Sequence, residues 1–495
     1  MSEHRSSYRQ IFKATSIFGG VQVYQILLSI VRSKLVAVLL GAQGMGISGL
    51  FLSVTTLISS LTGMGISVSA VRNISEAHQK GDEVQVRRVV SVVKKLALLT
   101  GILGAVVTLL LAPWLSEITF GDTSYTISFM ALSITFILGS LASGQSVLLQ
   151  GLRKLGYMAK SSILGATAGL LMSIPLYHVY GLQGIVPGII LSSVATAGFA
   201  YFFGSKLAVS DSKSVSFREA WQDGKGMIRM GIMLSLSTII AAASAYAVRL
   251  YINAQGSMAD VGLYSAGFSI MNTYVGMIFT AMATDYYPRL SAVAHDSEQS
   301  NELINQQTEM ALLILGPILI LFLIVLKFAI TLLYTREFLA SVEMVQWAVL
   351  AIFFRTLSWA MGFMFLSKGD SKVFFWNELV ASVYTLALNI LGYSYFGLEG
   401  LGLSFLVSYV LSVVQNFMLT NYKYKYRVRI ELIPVFLSQL CLSIACLALM
   451  RQVEEPVVYL YVLPIMIAAI WYSWREINKR IDLIGLIRSK VFGNG

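Results

Sequence analysis

The sequence predicts an all-α protein that crosses a membrane many times. Three observations carry that expectation. Of 495 residues, 56% are hydrophobic and only 12% charged, well beyond the apolar content of a soluble globular domain. The apolar residues fall in runs of about 20–28, which at 1.5 Å per residue cross a hydrocarbon layer of roughly 30 Å. Lys and Arg, finally, alternate between connections rich in them and connections nearly without them.

Taken in order, the runs give fourteen expected spans. The first six are Thr15–Leu40, Gly44–Val71, Leu96–Leu115, Tyr125–Leu149, Met158–Tyr180 and Gly184–Lys206. The next six are Met230–Asn253, Val261–Tyr287, Thr308–Tyr334, Ala340–Leu366, Val373–Phe396 and Leu398–Asn421. Leu432–Met450 and Val457–Tyr472 close the chain. Of the 36 Lys and Arg, only Arg336 and Arg451 lie in the odd-numbered connections, which carry Glu117, Asp122, Asp260, Glu337, Glu399, Glu454 and Glu455 instead. Cationic loops stay in the cytoplasm, so both termini are expected there. The basic start (Arg5, Arg9, Lys13) runs into an apolar stretch too long for a signal peptide and without a cleavage site, so the first run is read as a span.

The spans repeat. Arg32 inside the first span is matched 217 residues later by Arg249, and Tyr180-Gly181-Leu182-Gln183-Gly184 is matched at an offset of 216 by Phe396-Gly397-Leu398-Glu399-Gly400. The turn after the first span aligns about one helical turn out of that register, Gly49 with Gly262. Six spans per copy is an even number, so both copies enter the membrane in the same direction and are related by an axis along its normal. The expected division is a six-helix bundle over residues 1–206, a cytoplasmic linker over 207–229, a second bundle over 230–425, and two appended helices with a tail over 426–495. The polar linker (Ser210 to Ser214) is read as a flexible tether.

The turn Gly41-Ala42-Gln43-Gly44-Met45-Gly46, its partner Val261-Gly262-Leu263-Tyr264, the stretch Tyr287-Pro288-Arg289-Leu290-Ser291 and the linker Gln150-Gly151-Leu152-Arg153 resemble Wzx-type O-antigen and polysaccharide flippases. Those belong to the multidrug/oligosaccharidyl-lipid/polysaccharide exporter superfamily. The resemblance covers nearly the whole chain. It implies a polyprenyl-pyrophosphate-linked oligosaccharide moved from the cytoplasmic to the periplasmic leaflet of a bacterial inner membrane by alternating access. It also implies a polysaccharide polymerase as a possible partner. The same superfamily holds drug and cation antiporters, so the fold alone does not choose the substrate.

Apart from Lys160 and Lys206 at span ends, five cations lie within the spans: Arg32, Lys34, Arg249, Lys327 and Arg355. A charge at mid-membrane costs roughly 2.5–3.5 kcal/mol on insertion scales and usually faces a bundle interior or a watery cavity. Arginine suits the pyrophosphate that the resemblance implies, because its planar fork binds phosphate oxygens in pairs and stays charged. Arg32 and Arg249 are therefore expected to face one another across a cleft and bind substrate, with snorkelling to the boundary as the other fate of Arg249. Arg355, in mid-span, is either a further substrate cation or half of a buried pair. Lys327 is also a substrate-binding candidate. Lys34 points roughly 200° away from Arg32 and is expected to snorkel. Glu378 is the candidate for ion or proton coupling. Asp285 and Arg289 read as an i,i+4 helix pair, and Glu309 and Glu343 as solvated span ends.

Other classes find little support in the residues. His4, His78, His178 and His295 have no metal-ligand spacing, and no nucleotide-binding glycine loop is present. No catalytic residue, metal or cofactor is expected. The net charge of +11 reflects loop orientation rather than a nucleic-acid partner. Cys441 and Cys446 would sit about 140° apart on a helix, too divergent to bridge. The alternatives are a drug or metabolite-cation antiporter, which usually carries acids in its cleft, and a membrane polysaccharide polymerase or ligase, which needs larger outer segments than about 3–10 residues.

Overall fold

A computed structural model describes residues 2–207, 216–454 and 456–481. Among them every regular element is helical. The linker residues Ser210 to Ser214, Glu455 and the tail beyond 481 lie outside the described residues.

In chain order the helices are α1 (Ser2–Thr62), α2 (Ile66–Gln79), α3 (Glu83–Phe120), α4 (Thr126–Gly151), α5 (Leu155–Tyr180), α6 (Ile185–Ser205) and α7 (Phe217–Gln255). Then come α8 (Met258–Ser269), α9 (Gly276–Ala292), α10 (Ser297–Leu333), α11 (Val342–Ser367), α12 (Ser371–Tyr424), α13 (Leu432–Gln452) and α14 (Val458–Ile481). A π turn, Ile270–Val275, joins α8 to α9. The chain is a multi-pass membrane protein: eleven of its described helices are long and apolar enough to cross a bilayer. The sequence expectation was fourteen spans. The difference lies in three long candidates, Gly20–Thr62, Leu155–Ser205 and Ser371–Tyr424, which run on through a tight turn.

Those turns have a physical cause. Gly181 (φ 54) and Gly397 (φ 59) take a positive-φ backbone that is open to glycine and strained for a residue with a Cβ. They are the two glycines that the sequence repeat aligned. After Gly397 the chain doubles back, so that Ser404 Oγ donates to the Leu388 carbonyl at 2.6 Å. A methyl group on Gly392 would sit 2.4 Å from the Gly400 carbonyl oxygen. After Gly181 the same happens between α5 and α6, where Ser173 Oγ and Ser192 Oγ are 3.0 Å apart. Helices in lipid gain no hydrophobic drive toward each other, so small residues that allow backbone contact hold such hairpins together.

The described chain divides into two packing units. Unit 1 comprises Met1–Leu263 with Leu333–Thr335, and unit 2 comprises Tyr264–Leu332 with Arg336–Gly495. Within unit 1, α5 packs on α6, α3 on α4, and α1 on α5 and α7. Its core includes Ile66, Ala70 and Ile74 of α2, Val90, Val93 and Leu96 of α3, and Leu148 of α4. Helix α7 opens with a capping box in which Ser216 and Glu219 exchange side-chain bonds with each other's backbone N–H. Those bonds hold the Glu219 carboxyl below its ordinary range.

Unit 2 is built on α11 and α12. Its aromatic core includes Tyr286, Phe365, Tyr424 and Tyr426. Asp285 and Arg289 form the expected i,i+4 pair at 3.1 Å. Glu309 departs from expectation. It pairs with Arg480 of α14 instead of lying in solvent, because α14 comes back alongside α10 and brings its terminal guanidinium to that carboxylate. Gln439 of α13, fully buried, donates to Ser473 Oγ of α14 at 2.8 Å, and its side chain rests against Gly316 of α10.

Candidate functional site: polar side chains inside the spans

In unit 1 the stretch of α1 from Tyr24 to Arg32 presents a polar face. Gln25 donates to Ser162 Oγ at 2.6 Å, and the Tyr24 hydroxyl is 2.7 Å from Thr167 Oγ1, both partners on α5. Seven residues on from Gln25, and so on the same face, Arg32 is exposed and its Nη2 lies 3.4 Å from Ser192 Oγ of α6. Ser192 also donates to the Gly169 carbonyl at 3.1 Å. Lys34 is half-buried and donates to the Tyr334 carbonyl, a contact that leaves it on a different side from Arg32. Arg249 is half-buried on α7, and its Nη1 reaches back to the Ala245 carbonyl at 3.0 Å.

Helix α7 is fastened to unit 1 at both of its ends. Toward its C-terminal end the buried Tyr246 hydroxyl is 2.7 Å from Thr119 Oγ1 of α3, and Asn253 Nδ2 donates to the Thr119 carbonyl at 2.8 Å. Toward its N-terminal end Arg88 of α3 pairs with Asp223 at 2.9 Å. The backbones of α7 and the turn before α2 touch there: a Cβ on Gly231 would meet the Met64 carbonyl oxygen at 2.3 Å. Just beyond α7 a Cβ on Gly262 would meet the Ala42 carbonyl oxygen at 1.9 Å. Gly65, in the turn before α2, makes the same close approach, a Cβ there meeting the Gly231 carbonyl oxygen at 2.1 Å.

Unit 2 gathers its polar groups between α11 and α12. Arg355 is half-buried, with its guanidinium 5.0 Å from the Phe279 ring centre and 5.8 Å from that of Tyr409. Cations over ring faces at these distances are held electrostatically. Its Nη1 is nonetheless buried without an acceptor among the described residues. Close by, Ser358 Oγ and Ser412 Oγ are 2.5 Å apart, Asn416 Nδ2 donates to Ser358 Oγ at 2.8 Å, and Gln415 Nε2 donates to Asn377 Oδ1 at 2.8 Å. Ser408 Oγ, Gln415 Oε1 and Asn416 Oδ1 join Arg355 Nη1 as buried polar atoms without a partner among the described residues. Orphans of this kind are rare and call for a reason. Glu378 is half-buried next to Asn377 in the first half of α12 and acts electrostatically on Tyr384. Lys327 lies on α10, exposed. The structure thus brings Arg355 and Glu378 into one polar region of unit 2, and it leaves Lys327 exposed on α10.

Ser408, Ser412, Gln415, Asn416 and Tyr384 escaped the sequence reading. Their spacing was the available signal, since 408, 412, 415 and 416 share one helical face.

Apolar helices that carry cations and unsatisfied polar atoms within their length define a multi-pass membrane protein with polar groups placed inside its spans. Comparison with known proteins gives the family. The description "Polysaccharide biosynthesis protein" matches residues 35–343, more than half of the chain, and "Lipid II flippase MurJ" matches residues 226–466. The lipid III flippase of Escherichia coli (strain K12) is 24% identical over 359 residues, covering 72% of this chain and 84% of that one. Among solved structures, a lipid II flippase MurJ in an inward closed conformation superposes with a TM-score of 0.69 at 12% identity, covering 96% of this chain and all of the other. An inward-facing multidrug resistance MATE family transporter superposes at 0.67 and 14% identity, covering 82% and 94%. The chain belongs to the polysaccharide biosynthesis protein family and has the fold of the superfamily that its motifs resemble.

Proposed function

We propose that the protein is a flippase. It moves a polyprenyl-pyrophosphate-linked oligosaccharide, an O-antigen or similar repeat unit, from the cytoplasmic to the periplasmic leaflet of a bacterial inner membrane, with both termini in the cytoplasm. The relatives support a lipid cargo, since the matched Escherichia coli protein is named a lipid III flippase and the MurJ description a lipid II flippase. Arg355 is the observation that carries the reading. A guanidinium set between two rings, with one nitrogen buried and unbonded, is a fixed donor for a phosphate oxygen.

In this reading Arg32, Arg249, Arg355 and Lys327 meet the pyrophosphate and the sugars at successive points, and Glu378 couples the movement to an ion or proton. Two six-helix bundles, 1–206 and 230–425, rock about the path. Rocking requires the bonds from α7 to Thr119 and the Arg88–Asp223 pair to break and re-form. A polysaccharide polymerase takes the product on the far side. No covalent chemistry is required of the protein, so it is a transporter and not an enzyme.

The test is reconstitution in vesicles with a polyprenyl-pyrophosphate-linked oligosaccharide in one leaflet, its arrival in the other being read by a lectin. Arg355→Ala is expected to lower the rate at least about ten-fold, and Arg355→Lys to retain part of it, consistent with loss of one charge-assisted contact. Equal rates in wild type and Arg355→Ala remove the residue from the path. Failure of wild type to move the lipid, alongside extrusion of an organic cation, favours the antiporter.

A further inference from the structure

The segment after α12 is neither helix nor strand, yet it is held at every step. Lys425 closes α12 in the left-handed backbone (φ 59), with its N–H donating to the Asn421 carbonyl at 3.0 Å. Tyr426 N–H returns to the Thr420 carbonyl at 3.2 Å. Asn301 takes the Lys425 carbonyl (3.1 Å) and Asn421 the Tyr426 carbonyl (2.8 Å). The buried Asn305 takes the Arg427 carbonyl (2.9 Å) and the Arg429 N–H (3.1 Å). Tyr424 and Tyr426 turn inward, 8% and 2% exposed. The intervening Lys423, Lys425, Arg427 and Arg429 are all exposed.

Acids neutralise only the outer two of these cations: Lys423 pairs with Asp370 at 2.7 Å, and Arg429 with Glu302. Lys425 and Arg427 make no side-chain hydrogen bond or ion pair among the described residues. Two residues apart, Lys425 and Arg427 have Cα atoms no more than about 7 Å from one another, a span that two long cationic side chains can share on one phosphate. The flanking helix ends expose apolar groups: Met418 and Tyr422 on α12, and Ile433 after Ile430 at the start of α13. A ligand here therefore has a fixed anionic head beside a hydrocarbon body.

We propose that Lys425 and Arg427 form a binding site for the phosphate of an anionic membrane phospholipid, docked against the α12–α13 connection of unit 2. The neutral polar pins (Asn301, Asn305, Asn421) fix the backbone in advance, so the site loses little entropy on binding. Each Lys or Arg at an anionic surface contributes roughly a five-fold gain in affinity, so the pair contributes about thirty-fold.

The test uses the full chain, purified and stripped of lipid, with retained phosphatidylglycerol and phosphatidylcholine counted by native mass spectrometry. Wild type is expected to prefer phosphatidylglycerol, with Lys425→Gln/Arg427→Gln binding it about thirty-fold more weakly at unchanged elution volume. The charge-keeping Lys425→Arg/Arg427→Lys retains the preference, and so does Arg153→Gln/Lys154→Gln at the basic linker of unit 1. Equal phosphatidylglycerol binding in wild type and the Gln pair overturns the site, as does equal loss in the Arg153/Lys154 control. Displacement of phosphatidylglycerol by an equimolar polyprenyl pyrophosphate assigns the cations to substrate and overturns the membrane-lipid reading. Displacement by inorganic phosphate at low millimolar concentration shows that the lipid body adds nothing, and overturns it equally.

Discussion

Arg451, in the last turn of α13, donates to Glu399 just past the Gly397 turn of α12 at 2.9 Å, while its guanidinium lies 4.9 Å from the Trp347 ring centre on α11. Its Nε donates to Gln346 at 3.1 Å, and Trp347 itself donates to Glu399 at 2.7 Å. One side chain thus joins three helices at one end of unit 2, and Arg480 with Glu309 and Glu476 does comparable work at the end of α14.

Breaking this junction should cost stability more than transport. Arg451→Ala removes a partly exposed ion pair and a cation–ring contact, together about 1–2 kcal/mol. Thermal unfolding in detergent should show it, with a further drop in Arg451→Ala/Arg480→Ala. Transport per inserted molecule is expected to stay near wild type. A stable, abundant double variant that moves no substrate places α13 and α14 on the path.

Charge rather than bulk is expected to matter at position 32. Arg32→Lys should keep part of the surface glycan and Arg32→Ala should abolish it, with both proteins at normal membrane level. Normal glycan in the alanine variant removes Arg32 from the site.

Crosslinking addresses the movement itself. Cysteines at Ala42 and Gln255, in a background with Cys441 and Cys446 replaced, are expected to bridge in one state only and to stop transport until reduced. Undiminished transport by the bridged protein excludes rocking of the bundles.

Acid should loosen the end of α12 selectively. Hydrogen bonds from Lys423 and Tyr424 hold Asp370 below the ordinary carboxylate range. A depressed folded pKa contributes stability above the unfolded value, and that contribution is lost as pH falls through the folded one, here below about pH 4. Asp370→Asn should unfold at a lower temperature than wild type near pH 6, with the gap closing toward pH 3. A gap that stays constant with pH assigns the effect to packing.

Much of this fold is legible in the residues, because the membrane leaves a chain few solutions. Long apolar runs have to be helices, and the glycines at 181 and 397 could be placed in turns because each interrupts such a run at a matched position. The polar region of unit 2 was harder to read. Ser412 or Asn416 inside an apolar run can bond a carbonyl of its own helix or reach a neighbouring one, and the sequence holds both options open. Arg355 stood out because a charge at mid-span is costly whatever local bond it makes. Glu399 and Arg451 looked like outer solvated charges, since nothing local says that α13 ends beside the turn of α12. Glu309 misled for the same reason, its partner lying 171 residues away.

Helix α7 begins the second copy in the covalent order, yet it packs with the helices of the first. A nick anywhere in residues 208–215 therefore leaves an amino-terminal fragment with an unfilled side and hands the missing piece to its counterpart. Two such fragments expressed from separate messages have a built-in reason to find one another.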